Sequence, residues 1–163
     1  MRQLHMKKAM KIASLLSLVL ILTACNLGMR SSYTFNVETG DEIKVTLKNV
    51  DDYTISQENG TFVVSKDDQK ISQGAFITED AFKKYKTTIE ENQDNLISNK
   101  ESGEKNDNEY IYYETEGSSG MEYNYIVFVN GSSTGVIIGS TVSKEEAQNV
   151  FKNLSITYDI YGV

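Results

Sequence analysis

The chain of 163 residues has no proline, no tryptophan, one cysteine and one histidine. Without proline, its turns must come from Gly, Asn and Asp, the residues that accept positive φ. Without tryptophan, any aromatic contact surface rests mainly on the 10 tyrosines. A single thiol, Cys25, permits no disulfide within the chain. The single imidazole, His5, lies at the extreme N-terminal end. Acidic side chains are also missing from the start: the first is Glu38, whereas Arg2, Lys7, Lys8 and Lys11 all precede residue 12.

That basic opening leads into Ile12–Leu22 (IASLLSLVLIL), followed by the small residues Thr23 and Ala24. A basic region, a short apolar core and small residues in this order make an export signal peptide. A membrane-spanning helix needs about 20 apolar residues, and this run is shorter and stops at Asn26. It is apolar on every side, which excludes a buried amphipathic helix. MKKAMK from Met6 is as adequate a basic region as the longer start at Met1.

Leu22-Thr23-Ala24-Cys25 resembles the lipobox of bacterial lipoprotein precursors. The resemblance implies that a diacylglycerol joins the Cys25 sulfur and that residues 1–24 are cut away. In many such proteins the freed amino group is acylated as well, for example with palmitate. One acyl chain anchors marginally, and two or more hold firmly. The expected product is a lipid-anchored chain on the extracytoplasmic face of the cell membrane. Cleavage would remove four of the 16 basic side chains and none of the 23 acidic ones, leaving a formal charge of −11. So acidic a chain is expected to be repelled by nucleic-acid phosphates and to gain nothing from anionic lipid headgroups. The membrane contact is therefore expected to be the lipid alone.

Three segments follow: residues 1–24 as signal peptide, 25–32 as lipidated cysteine and short tether, and 33–163 as one domain. The tether, about seven residues at 3.3–3.6 Å each, reaches at most about 25 Å. Period-two alternation predicts strands at Tyr33–Val37 and Ile43–Leu47. Asn59-Gly60 predicts a hairpin between Tyr53–Glu58 and Thr61–Lys66, and Lys70–Ile77 continues the sheet. Thr78 is an N-cap candidate for a helix over Glu79–Gln93, with Phe82, Tyr85 and Ile89 as its apolar stripe. Further strands are expected at Leu96–Asn99, Glu109–Thr115, Glu122–Asn130 and Gly135–Thr141, with Glu101–Asn108 (ESGEKNDN) as one loop. Ser143 and Glu146 form a capping box for a second helix, with Val142 placed to staple against Ala147. Its buried stripe is Ala147, Val150, Phe151 and Leu154, and a strand at Ser155–Asp159 closes the domain. The fold class is α+β: a largely antiparallel sheet with two amphipathic helices packed on it. The stretches GAFITEDAFKKY and TVSKEEAQNVFKNLSITY resemble the strand-into-helix and closing helix–strand of PsbP-like domains. That fold hosts unrelated roles, and no functional residue carries over from it.

Motifs that carry chemistry are thin. Gly131-Ser132-Ser133-Thr134-Gly135 fits G-x-S-x-G, but its flanks read as strands, and with His5 cut away no Ser-His-Asp site can form. Ser102-Gly103-Glu104-Lys105 fits S-x-x-K without the partner motifs of penicillin-interacting enzymes. A metal would need oxygen ligands, and Asp51-Asp52, Asp67-Asp68 and Asn106–Glu109 lack calcium-loop spacing; they read as turns. No metal and no cofactor are expected. The Asn-x-Ser/Thr triplets at Asn59 and Asn130 also read as turns.

Tyrosines offer the candidate contact surface. Alternation puts Tyr110 and Tyr112 on one face of their strand. On the next strand Tyr123, Tyr125, Val127 and Val129 share a face, opposite Ile126 and Phe128. A strand apolar on both sides is central and covered on both sides. The tyrosine row serves either sheet packing or a face that stacks on a sugar or grips a peptide. The expected function is a non-catalytic binding module with an envelope protein or saccharide as partner. The alternatives are an envelope hydrolase using carboxylates without histidine, and an immunity or structural component.

Overall fold

A computed structural model describes residues 30–92 and 96–159. Cys25, Gln93 and residues 1–24, expected to form the signal peptide, lie outside the described residues. Among the described residues, ten strands and two helices run in the order β1 (Arg30–Asn36), β2 (Glu42–Lys48), β3 (Tyr53–Glu58), β4 (Thr61–Lys66), β5 (Gln69–Thr78), α1 (Glu79–Glu91), β6 (Ile97–Lys105), β7 (Asn108–Gly117), β8 (Gly120–Phe128), β9 (Thr134–Ser140), α2 (Lys144–Asn153) and β10 (Leu154–Tyr158). The α+β class with antiparallel pairing is as expected. The strands divide, however, into two sheets: a small one, β1-β2-β10, and a large one, β3-β4-β5-β9-β8-β7-β6.

Turn chemistry explains the hairpins. Asn59-Gly60, Asp67-Asp68 and Asn106-Asp107 each hold positive φ at both central positions, the type I′ geometry whose twist matches that of the flanking strands. Asp51-Asp52 repeats it, with φ of 54° and 62°, where the chain leaves the small sheet for the large one. The aspartate pairs are thus turn formers.

Three expectations need correction. Glu101–Asn108 is not one loop: residues up to Lys105 belong to β6, and Asn108 opens β7. β6 is an edge strand whose side chains are mostly exposed, so it carries charges instead of an apolar alternation. Arg30–Ser32 are not tether either. They pair with Lys48, Leu47 and Thr46 of β2. The closing strand leaves the main sheet altogether and pairs with β2, Ile156 opposite Val45.

The large sheet is covered on both faces. One face meets the small sheet and α2 across a core containing Val45, Leu47, Phe62, Tyr125, Val127, Val150 and Phe151. The other meets α1 through Phe82, Ile89, Ile111 and Ile126, with Phe128 at its margin. β8 therefore buries Tyr125 and Val127 on one side and Ile126 on the other, as its alternation requires. Every fully buried member of both cores lies between Phe35 and Ile156.

Both helix starts are capped. Thr78 Oγ1 accepts from Ala81 N at 3.2 Å and Ser143 Oγ from Glu146 N at 3.1 Å. α1 ends at Asn92 in the left-handed conformation, a common helix stop. Two apolar predictions fail: Tyr85 is 44% exposed and Val142 39% exposed. Tyr85 sits about 60° round the helix from Phe82, off the line joining Phe82 to Ile89.

Candidate functional site

β7 and β8 place the four candidate tyrosines on one face, with Tyr112 directly opposite Tyr125 and Tyr110 opposite Val127. That face is the inner one. Tyr112 is 2% exposed and Tyr125 5%; Tyr110 and Tyr123 are half-buried against the same core. The residue that closes the row is Phe151 of α2. Its ring stacks on Tyr125 with centroids 3.9 Å apart and 14° between planes, and meets Tyr110 edge-on at 5.0 Å. A ring packed this way offers no face to a sugar or peptide.

One hydroxyl of this row, with that of Tyr53 on β3, explains how α2 is fixed. Tyr112 Oη donates to Glu114 Oε1 at 2.7 Å, and Lys144 Nζ in the first turn of α2 reaches the same oxygen at 2.8 Å. Across the helix, Tyr53 donates to Glu146 Oε2, and Lys66 Nζ lies 3.4 Å from Glu146 Oε1. Two tyrosine–glutamate–lysine clasps thus hold the start of α2 from β7 and from β3–β4. Hydrogen bonds from Lys144 and then Tyr112 hold the Glu114 carboxyl below the usual range. Burial, then the bond to Glu114, raises the Tyr112 phenol, and burial with Glu146 does the same for Tyr53. Burial alone leads in raising Tyr113 to about 12. Tyr53 and Tyr112 stay protonated as hydrogen-bond donors.

Glu146 also departs from the capping box. Its backbone N–H reaches Ser143, but its carboxylate is engaged by Tyr53 and Lys66 instead of returning to the cap. Hydrogen bonds to charged groups contribute about 1.5–3 kcal/mol, more than the few tenths typical of local surface pairs. The tertiary partner wins.

The motif serines are structural as well. Ser132 Oγ donates to Val129 O at 2.8 Å and accepts from Thr134 N at 3.1 Å. Ser133 N donates to Asp41 Oδ2 at 2.8 Å, and Thr134 Oγ1 donates to the same oxygen at 2.7 Å. Asp41 therefore ties the β1–β2 turn to the β8–β9 loop, and both flanks of G-x-S-x-G are strands, as predicted. The S-x-x-K residues Ser102 and Lys105 lie on β6.

Lys105 is the residue that a loop reading missed. Its ammonium donates to Phe151 O and, at 2.7 Å, to Leu154 O, and lies 4.5 Å from the Phe151 ring centroid. It thereby places a charged donor at the C-terminal end of α2, where Phe151 O also accepts from the Leu154 N–H. Burial, then the neighbouring charge of Lys48, lowers its pKa to about 8. A lone lysine before Asn-Asp was its signal, legible only once those two residues are read as a hairpin turn.

Surface hollows are shallow. One of about 630 Å³ on the outer face of the large sheet is lined by Gln73, Glu122, Asn124 and Gly139, offering hydrogen bonds and no paired nucleophile and base. Among the described residues no three His, Cys, Asp or Glu side chains cluster to hold a metal ion, and no helix is long and apolar enough to cross a membrane. The chain matches no protein-family model, and no curated protein matches it.

Proposed function

We propose that this chain is an extracytoplasmic lipoprotein, anchored through a lipid on Cys25, whose domain is a non-catalytic interaction module. The observation that carries the reading is Leu22-Thr23-Ala24-Cys25 at the end of a basic and then apolar leader. The architecture supports it: among the described residues, both cores begin no earlier than Phe35, ten residues after Cys25. A non-catalytic role is supported by what the inward carboxylates do. Glu114 and Glu146 are each engaged by a tyrosine and a lysine. A carboxylate pair for hydrolysis needs one acid with a raised pKa, and Glu114 is shifted the other way. The strand–helix–strand–helix–strand order with a helix on each face of the large sheet supports a PsbP-like assignment. Its partner, an envelope protein or saccharide, would meet a surface other than the covered tyrosine row.

Labelled palmitate fed to cells should enter the wild-type chain and not the Cys25→Ala variant, which should leave the membrane fraction. Equal label in both would overturn the anchoring.

A further inference from the structure

The formal charge of the chain hides how its cations are placed. On the small sheet, even-numbered residues of β1 and β2 point away from the core, since Phe35, Ile43, Val45 and Leu47 point into it. The outer face therefore carries Arg30, Lys44 and Lys48 among the hydroxyls of Ser32, Thr34 and Thr46, with Ser155 and Thr157 of β10 alongside. Arg30 stands directly opposite Lys48, a like-charge pairing that costs stability. At this end a hollow of about 240 Å³ is lined by Arg30, Lys48, Lys105 and Lys152, and no acid lines it. None of the four is ion-paired among the described residues. Glu104 precedes Lys105, Asp107 lies two residues after it, and Asp51 and Asp52 follow Lys48 by three and four, but none of them lines the hollow. The acids of the small sheet, Glu38, Asp41 and Glu42, sit at the far end of the β1–β2 hairpin, about 20 Å away along the strand.

We infer that this basic end of the small sheet is a docking face for the anionic phospholipid headgroups of the bilayer to which the chain is anchored. The inference rests on the proposed lipid at Cys25 for its location. Five peptide steps separate Cys25 from Arg30, so the chain can hold this end at most about 18 Å from the anchor. Of all surfaces, the one closest in chain length to the lipid is the one rich in unpaired cations. Screening lengths of about 8–10 Å let this local charge act at a membrane while the distant acids are damped. Arg30, Lys48 and Lys152 supply the exposed charges; Lys105 is committed to the α2 carbonyls and adds to the local potential only. Arg30 and Lys48, which face each other unpaired, gain a shared counter-ion in the headgroup phosphates.

A chain starting at Asn26 keeps every core residue and carries no lipid, so it tests the face separately from the anchor. It should co-sediment with phosphatidylcholine vesicles containing phosphatidylglycerol, less so at high salt, and not with pure phosphatidylcholine. Each basic residue near such a surface changes partitioning about five-fold. Replacing Arg30, Lys48 and Lys152 by Ser should therefore reduce it to the phosphatidylcholine level. Replacing Lys70, Lys83 and Lys84 instead changes net charge equally and should leave binding in place. Equal loss in both triple variants would overturn a localised face, as would failure to bind the anionic vesicles. A crosslink in cells from position 48 to an acidic protein, with no vesicle binding, would replace the bilayer by that partner. Palmitate labelling at Cys25 is read independently, so failure of the anchor and failure of the face are told apart.

Discussion

Gly74 on β5 sits opposite Phe62 of β4, which is fully buried. A Cβ on residue 74 would overlap the Phe62 ring at Cζ and Cε1 and stand 2.7 Å from Cε2. The ring lies over the glycine and cannot swing away freely. Phe35 and Phe76 flank it with centroids 6.4 and 6.2 Å distant. Gly74→Ala must therefore push a core ring, or the backbone beneath it, by about an ångström. Overpacking of this kind costs about 1–3 kcal/mol, and the depth of overlap puts this site near about 3 kcal/mol. In a domain of this size that lowers Tm by roughly 10 °C. Urea unfolding followed by far-ultraviolet circular dichroism measures it, and a second substitution isolates the cause. Phe62→Leu removes the overlapping ring atoms and alone destabilises by leaving space; combined with Gly74→Ala it should cost clearly less than the two added together. Strict additivity, or a Gly74→Ala cost below about 0.5 kcal/mol, would show that the ring does not lie over residue 74.

Two further outcomes are expected. Ser143→Ala should destabilise by about 1 kcal/mol through loss of the α2 cap, whereas Ser143→Asp should retain stability; equal losses in urea titrations of both would rule out capping as the role of this side chain. Lys105, at about 8 in the folded state, titrates below the unfolded lysine value of about 10.4, so between these values the unfolded chain holds more protons and stability rises with pH. Above about pH 10 the raised phenols of Tyr53, Tyr112, Tyr113 and Tyr125 reverse the slope. Lys105→Met should be less stable overall and should lose the rise between pH 8 and 10; a slope that survives the substitution would assign it to other groups.

Much of the fold is written in short-range rules. Asn59-Gly60, the Thr78 and Ser143 caps and the two-faced alternation of β8 each depend on neighbours within a few residues, and each is found where those rules place it. The failures share a different cause. Period-two alternation says which side of a strand is buried and is silent on which strand lies beside it. Leu154 and Ile156 point inward in either sheet, so nothing local assigns β10 to β2. β6 fails for the complementary reason: as an edge strand in solvent it needs no apolar side at all. The local charge density of Arg30, Lys48, Lys105 and Lys152 is invisible in the sequence, because they come from β1, β2, β6 and α2.

The tyrosine row shows why a contact surface is harder to read than a core. Alternation puts Tyr110, Tyr112, Tyr123 and Tyr125 on one side, and the structure keeps them there. Whether such a row is presented or covered depends on what crosses it, and here that is decided by Phe151, from a helix that follows β9. Phe151 is legible as a buried position of α2 from its spacing with Ala147, Val150 and Leu154. What spacing omits is that this helix needs a partner face of the right width, and that the clasps of Glu114 with Lys144 and Glu146 with Tyr53 pin it over the tyrosines. Of the row's phenols, that of Tyr112 donates to Glu114 and so takes part in one of the clasps. A binding surface on this domain must therefore be sought among side chains that the fold leaves without partners, and Arg30, Lys48 and Lys152 are such a set among the described residues.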